Sequence, residues 1–321
     1  YKTAGLTHGS YLHMAGQVTL SLEIELGWGV HDINSKNKYN ALSNQRKEES
    51  KTLDKLLAAC DQLNIPISFD IVGHLLERSC DGRHPDAPHD PSWFSADPGG
   101  DVTSDPLFYA PDLIQSIVDA SVNHEICTHT YSHVLCDSIS SASLNWELKK
   151  VAQVHEEFGL STPSSLVPPR GRVPSLETLA DNGIEAIRVP YLGTAKSFTK
   201  LNYLRSAISP PVTEPTVDRG VTITHCTPLP SLTSPVLPDG SRPSHPLHAT
   251  VPIRARQRFH RSYLSRGLKN AIRQDGHVHY WSHLYNMSNE YQLTTVIEFL
   301  DELKRAQDRG EANVVTINSI S

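Results

Sequence analysis

Residues 18–29, VTLSLEIELGWG, alternate apolar and polar side chains with a period of two. A strand with this pattern turns Val18, Leu20, Leu22, Ile24 and Leu26 to one face and Thr19, Ser21, Glu23 and Glu25 to the other. The apolar face suits packing against helices. The polar face ends in two carboxylates just before Gly27, at the C-terminal end of the strand, where parallel α/β proteins build their active sites.

Further along, helical and strand periods alternate. Leu53, Leu56, Leu57, Cys60 and Leu63 keep helical spacing, Asn64 and Pro66 break it, and the apolar run 65–72 reads as a strand. The same rhythm predicts helices over 111–123, from Leu144 to a stop at Gly159, over 176–182, near 268–273 and over 291–309. Between them it predicts strands at 125–128, 165–167, 184–189, 221–226, 277–282 and 314–318. Seven or eight β-then-α units in series argue for a parallel sheet closed into a barrel. Two stretches fall outside the rhythm: 79–106, rich in Asp, Pro, Gly and His around Trp93 and Phe94, and the proline-rich 209–252. Both are expected as ordered long loops at the barrel mouth. With no internal repeat visible, the chain reads as a single domain over 1–321, with 1–16 as an N-terminal extension.

Composition changes little. The 321 residues are 38% hydrophobic and 20% charged, ordinary for a soluble globule, and the net charge of -6 gives no electrostatic reason to expect nucleic acid or an anionic membrane. The basic run Arg254, Arg256, Arg258, Arg261 and Arg266 is accordingly read as solvated or substrate-facing. No apolar run approaches the roughly 18 residues of a membrane span. Residues 1–16 lack the apolar segment of a signal peptide, so the expectation is a cytoplasmic protein, or one whose leader was removed before this numbering begins. A homo-oligomer is compatible with everything in the sequence. Five cysteines without a CxxC pair suggest reduced, mostly buried thiols.

Candidate chemistry gathers at strand ends. His129 and His133, in HTYSH directly after a strand, have the spacing that puts two imidazoles on one side of a helical turn, as two metal ligands require. Two histidines and a carboxylate leave an open position for water, the pattern of a catalytic divalent site. The strand HVHYWSH carries His277, His279, Trp281 and His283 on one face; the first two are expected to be buried and satisfied by backbone carbonyls, His283 to do acid-base work. Arg170, after Pro168 and Pro169, is placed by a rigid turn to aim inward at a carboxylate.

Taken in order, LSLEIELGWG, HEICTHTYSH, VPPRGRV and HYWSHLYNM resemble the motifs of the polysaccharide deacetylase family, the NodB-homology group of carbohydrate esterases, most closely a subgroup whose first motif reads like SLDFELxWG. GHLLERSCDGRHPD and DPLFYAPDLI are similar to that subgroup's long loop and following helix, so the resemblance runs from about residue 18 to 286. It implies a distorted (β/α)7 barrel with long loops at the C-terminal face of the strands, and metal-dependent removal of an acetyl group from an N-acetylated sugar. It also implies a divalent ion, Zn²⁺ for preference, held by Glu25, His129 and His133, with Glu23 as catalytic base, Arg170 bracing that base and His283 as general acid. Trp28, Trp93, Tyr109, Trp281 and Asn286 are the candidate substrate contacts. The chain departs from the family in two places: Glu23 stands where the base is usually Asp, and PRGRV lacks the usual following Pro-Tyr pair. Two alternatives stay open: an amidohydrolase acting on a small cyclic or linear amide, with or without metal, and a non-catalytic glycan-binding barrel altered at Glu23.

Overall fold

The computed structural model describes residues 15–90, 92–191, 208–242 and 245–320. Residues 1–14 of the expected N-terminal extension lie outside the described residues. Seven strands, β1 (Gly16–Ile24), β2 (Ser68–Ile71), β3 (Glu125–Thr128), β4 (Ser165–Leu166), β5 (Ala186–Pro190), β6 (Val221–Cys226) and β7 (His277–His283), lie side by side in the order β7-β1-β2-β3-β4-β5-β6. Every one of these neighbours is parallel. The helices between them are α1 (Lys47–Leu63), α2 (Pro111–Val118), α3 (Ser141–Phe158), α4 (Leu176–Asp181), α5 (Ile253–Gln274) and α6 (Glu290–Asp308).

This is the expected distorted (β/α)7 barrel. Among the described residues β6 and β7 do not pair; irregular chain fills the gap instead. Thr213 bridges to His277, and the amides of Thr227, Ser231 and Leu232 donate to the carbonyls of His279 and Trp281. Three-residue strands add to the edges, Ala312–Val314 on β1 and Thr216–Asp218 antiparallel to β6. Within the stretch 209–252 lies β6, where a strand was expected at 221–226. The stretch 79–106 is ordered around a ribbon pairing Ser79–Cys80 with Gly100–Asp101.

Helices form where the apolar stripe is dense enough to be buried. α1 buries Leu53, Leu56, Leu57 and Cys60, and α6 buries Leu293, Val296, Phe299, Leu300 and Leu303, all in the cluster that also holds the apolar face of β1. Gly159 stops α3 with φ 85°, a left-handed cap that favours glycine. α5 is much longer than the sequence pattern predicts, 22 residues from Ile253, because its buried stripe of His260, Leu264, Leu268 and Ala271 is thin and interleaved with the basic run. One member of that run, Arg261, pairs with Glu298 of α6 at 2.7 Å.

Both faces of β1 are buried. Thr19, Ser21, Glu23 and Glu25 point into the lumen and are at most 5% exposed, so each must find a partner there. Thr19 Oγ1 meets His277 Nε2 at 2.9 Å and Ser21 Oγ meets His279 Nε2 at 2.9 Å: hydroxyls of the neighbouring strand engage these histidines, not the backbone carbonyls expected for them. At the other end of the barrel Glu125 accepts from the hydroxyls of Ser68 and Ser165 and from the amides of Ile317 and Asn318. That contact docks the 3-10 turn Ile317–Ser319 under the barrel, where the sequence pattern placed the end of a strand.

A second buried carboxylate shapes the mouth. Glu147 of α3, fully buried, accepts from the amides of Tyr131 and Ser132 at 2.8 Å each, from Ser132 Oγ at 2.7 Å and from His89 Nε2 at 2.7 Å. These bonds hold the chain that follows β3. Glu147→Ala should strand several buried donors and lower unfolding free energy by about 3 kcal/mol in urea titration. Glu147→Gln, which keeps an acceptor oxygen, should lose less.

Candidate active site at the barrel mouth

Register brings the first pair together. β1 and β7 align Glu23 with His283, and β1 and β2 align Glu23 with Asp70, so three titratable groups share one level of the lumen. Beyond β1 the chain turns sharply, with Leu26 in the left-handed region at φ 44° and the Gly27 amide donating to the Leu107 carbonyl at 2.8 Å. This turn folds Gly29 against the Glu25 side chain. A Cβ at position 29 would lie 2.2 Å from the Glu25 carboxylate, so only glycine leaves room for that side chain at the mouth.

HTYSH is not the helical turn its spacing suggests. Residues 129–135 are irregular, and Thr130 and His133 both take left-handed φ of 61°. The turn holds because its amides are bound by Glu147, while the carbonyls of Thr130 and Tyr131 accept from the amides of Gly73 and His74. The outcome for the imidazoles is nevertheless the one expected. Glu25 Oε2 lies 2.9 Å from His133 Nε2 and 3.6 Å from His129 Nε2, and ligand atoms of the three side chains all fall within 4.8 Å of one another.

The proton on the His129 ring favours a cation. His129 Nδ1 donates to the Val167 carbonyl at 2.8 Å, which leaves a lone pair on Nε2 facing carboxylates. His129 Nε2 and both nitrogens of His133 are buried and without hydrogen bonds. Lone pairs aimed at a carboxylate repel it unless a positive charge lies between them, and two imidazoles with one carboxylate is a donor set suited to Zn²⁺. The residues therefore fit a divalent ion.

Glu23 sits beside this cluster. Its Oε2 is 3.0 Å from His283 Nε2 and 4.0 Å from His129 Nε2, and its Oε1 is bound by Arg188. Burial pushes the Glu23 carboxyl up, but Arg188, His283 and His129 outweigh it and hold the group at about 2. Glu25 is likewise driven well below the usual carboxylate range, against its burial, by His283, His129 and His133. Burial would depress His283; the carboxylates of Glu25 and Glu23 and its hydrogen bonds to Glu23 and Asn286 raise it to about 9. One neighbour is thus a fixed anion and the other a held cation. A cleft of about 360 Å³ opens over them, walled by Val30, Ile33, Pro228, Trp281 and Tyr285.

Residues 43–187 match the family model of polysaccharide deacetylases. Over that stretch the chain is similar to polysaccharide deacetylases. The matched stretch carries His129 and His133, while the flanking strands β1 and β7 supply Glu23, Glu25 and His283. Among solved structures the fold is similar to a protein described as a polysaccharide deacetylase from Mycobacterium smegmatis, with a TM-score of 0.60 and 13% identity over 97% of this chain and 91% of that one. A second protein so described, from Pseudomonas aeruginosa PAO1, gives 0.59 and 11% over 95% and 89%. An allantoinase, PuuE, gives 0.57 and 12% over 95% and 88%. At these identities the likeness is one of fold. No curated protein matches the chain in sequence.

Against this polysaccharide deacetylase fold, several sequence-based expectations change. Arg170 does not brace the base. Its guanidinium is about one-third exposed and pairs with Asp32, because the turn Pro169–Gly171 points it outward across the mouth. Arg188 of β5 takes the bracing place: fully enclosed, it binds Glu23, donates to Ser21 Oγ at 2.8 Å and to Asp70 Oδ2 at 3.0 Å, and lies over the Trp281 ring at 4.7 Å. An arginine inside the apolar strand AIRVP was the signal, since a charge there must be paired in the lumen. Asp70 was missed for the same reason. Burial raises it to about 7 despite Arg188, with Glu23 adding to the rise.

The aromatic candidates divide. Trp281 lines the cleft. Trp28 is 0% exposed, packed among His74, Phe94 and Phe108, and has no surface for a substrate. Tyr109 is also buried, its hydroxyl donating to Asp97 at 2.8 Å. Trp93 is half-buried, its indole donating to Ser132 Oγ at 2.9 Å, and so props the HTYSH turn. Asn286 is used at both ends, accepting from His283 Nδ1 at 2.5 Å and donating to Asp239 at 2.6 Å, which makes it a positioning residue. The contrast between the arginines is measurable. Arg188→Met leaves buried carboxylates unpaired and should cost about 3–5 kcal/mol of stability in urea titration, whereas Arg170→Met should cost less than about 1 kcal/mol.

Proposed function

We propose that this protein is a metal-dependent carbohydrate N-deacetylase, with Glu25, His129 and His133 holding a divalent ion, most simply Zn²⁺. The observation that carries the reading is the pair of orphaned, buried imidazole nitrogens converging on Glu25 beside one fixed anion and one held cation. When bound, the ion would polarise the amide carbonyl and lower the pKa of water. The chain's own residues do the rest. Glu23, ionised and oriented by Arg188, accepts the proton of the attacking water; His283, protonated and oriented by Asn286, donates to the departing amine nitrogen. Trp281 and Tyr285 give the cleft aromatic walls suited to the apolar face of a sugar ring.

Acetate release from N-acetylglucosamine oligomers by the purified chain tests this. Chelation or His129→Ala should abolish release, zinc should restore it to the chelated protein, and Glu23→Gln should reduce it by roughly 10²–10⁴-fold. Undiminished release from metal-free protein would defeat the metal-dependent reading. Ring opening of a small cyclic amide by metal-free protein, with no acetate released, would favour the activity that the neighbouring allantoinase is named for. Sugar binding without turnover, with turnover gained in Glu23→Asp, would favour a binding barrel.

The pH profile follows from the signs. His283 must be protonated to act, and its value of about 9 depends on the carboxylates beside it. An ion on Glu25 takes up part of that field, so activity should fall as pH rises through a value between the ordinary 6.5 and about 9. Asn286→Ala should move this alkaline limb to lower pH; an unmoved limb would remove His283 from the acid's role.

A further inference from the structure

A second convergence of donors lies outside the barrel mouth, in the 79–106 stretch that the reaction does not use. His74, in the 3-10 turn Gly73–Leu76 after β2, meets Cys80, His84 and Asp97, and ligand atoms of all four lie within 4.8 Å of one another. Asp97 Oδ2 is 2.8 Å from His84 Nε2 and 3.0 Å from His74 Nε2, and Cys80 Sγ is 3.7 Å from His84 Nε2. The side chains of His74, His84 and Asp97 are at most 6% exposed. A tetrahedral ion with bonds of about 2.0–2.3 Å sets its ligand atoms about 3.4 Å apart, close to these separations.

Two details set this cluster apart from a hydrogen-bonded knot. His74 Nδ1 faces the Phe108 carbonyl at 3.4 Å, an acceptor only, so the proton belongs there and Nε2 presents a lone pair. That Nε2 is buried and makes no hydrogen bond, although a carboxylate oxygen stands 3.0 Å away. The Gly82 amide, in turn, donates to Cys80 Sγ at 3.3 Å, which orients the sulfur toward His84. Asp97 Oδ1 is engaged separately by Tyr109 and the Gly99 amide, which fixes the carboxylate with Oδ2 toward the histidines.

We propose that Cys80, His84, Asp97 and His74 form a structural site for a zinc-class divalent ion that ties the 79–106 loop to the barrel. One thiolate, two imidazoles and one carboxylate fill a tetrahedral shell, leave no position for substrate, and select a borderline-soft ion over calcium or magnesium. The loop has reason to need it. Its apolar contribution to the core is small, chiefly Trp93, Phe94, Ala87 and Val102, yet it carries His89 to Glu147 and Trp93 to Ser132, the contacts that hold the HTYSH turn. None of these four side chains is a ligand or a proton carrier in the chemistry proposed at the mouth.

The test is metal content and cobalt spectroscopy on the full chain. Wild type should hold two ions and the His129→Ala/His133→Ala double variant one. Cobalt-loaded double variant should show a thiolate-to-metal charge-transfer band that Cys80→Ser removes. No band in the double variant, or an unchanged band in Cys80→Ser, would overturn the proposal. If Cys80→Ser does not fold, His84→Ala in the same background decides: the band must shift or weaken, and an unaltered band refutes the site.

Discussion

The carboxylates of Glu23 and Asp70 at the barrel mouth depend on Arg188. A polar group turned into the buried lumen of a small barrel is costly unless it is paired. Arg188 reaches from β5 to β1 and β2, binding Glu23, Ser21 and Asp70 at once. Removing a guanidinium so placed would leave two carboxylates facing each other at the same register level. The same contact sets Glu23's charge and its orientation, so the fold's need for pairing and the site's need for a fixed anion are met by one side chain.

Below that level the lumen is satisfied by short pairs, Thr19 with His277 and Ser21 with His279, and closed by Glu125 on the C-terminal turn. Above it, geometry is carried by turns. Leu26, Thr130, His133 and Arg170 are all non-glycine residues at positive φ, and all lie just beyond the C-terminal ends of strands at the mouth. Such conformations cost of order 1–3 kcal/mol each and persist where surrounding bonds over-determine them. Glu147, Gly73 and His74 supply those bonds for the HTYSH turn. The spacing of His129 and His133 is thus kept by a buried carboxylate on α3, not by helical periodicity.

That difference explains what could be read from residues alone. Alternation along VTLSLEIELGWG correctly paired Glu23 with Glu25, because a period of two fixes which side chains share a face whatever packs against them. The seven parallel strands followed from the same kind of local pattern. Long-range partnerships left weaker traces. Nothing near Arg170 in sequence says its turn points outward to Asp32, and the claim of Arg188 on Glu23 spans 165 positions. Trp28 and Tyr109 looked like substrate contacts because aromatic residues beside a motif are ambiguous until burial is known. The thin apolar stripe of α5, threaded with arginines, hid most of a 22-residue helix for a related reason: the tertiary contact, not the propensity, makes it a helix.

The charges at the mouth also constrain one another. Glu23 and Glu25 together face His283 at 3.0 and 3.6 Å, and it is their combined field that keeps this imidazole protonated. A divalent ion of the proposed kind on Glu25 would draw on the same field, so its binding and the protonation of His283 would oppose each other. Glu23 separates the two demands. Held by Arg188 and set beside His283, it keeps a carboxylate for the imidazolium even when Glu25 is committed elsewhere. The extra methylene relative to aspartate lengthens the reach of that carboxylate from β1 into the lumen, where Arg188, His283 and His129 all approach it. On this argument Glu23, which stands where the motif it resembles has aspartate, is matched to its surroundings through the arginine on β5.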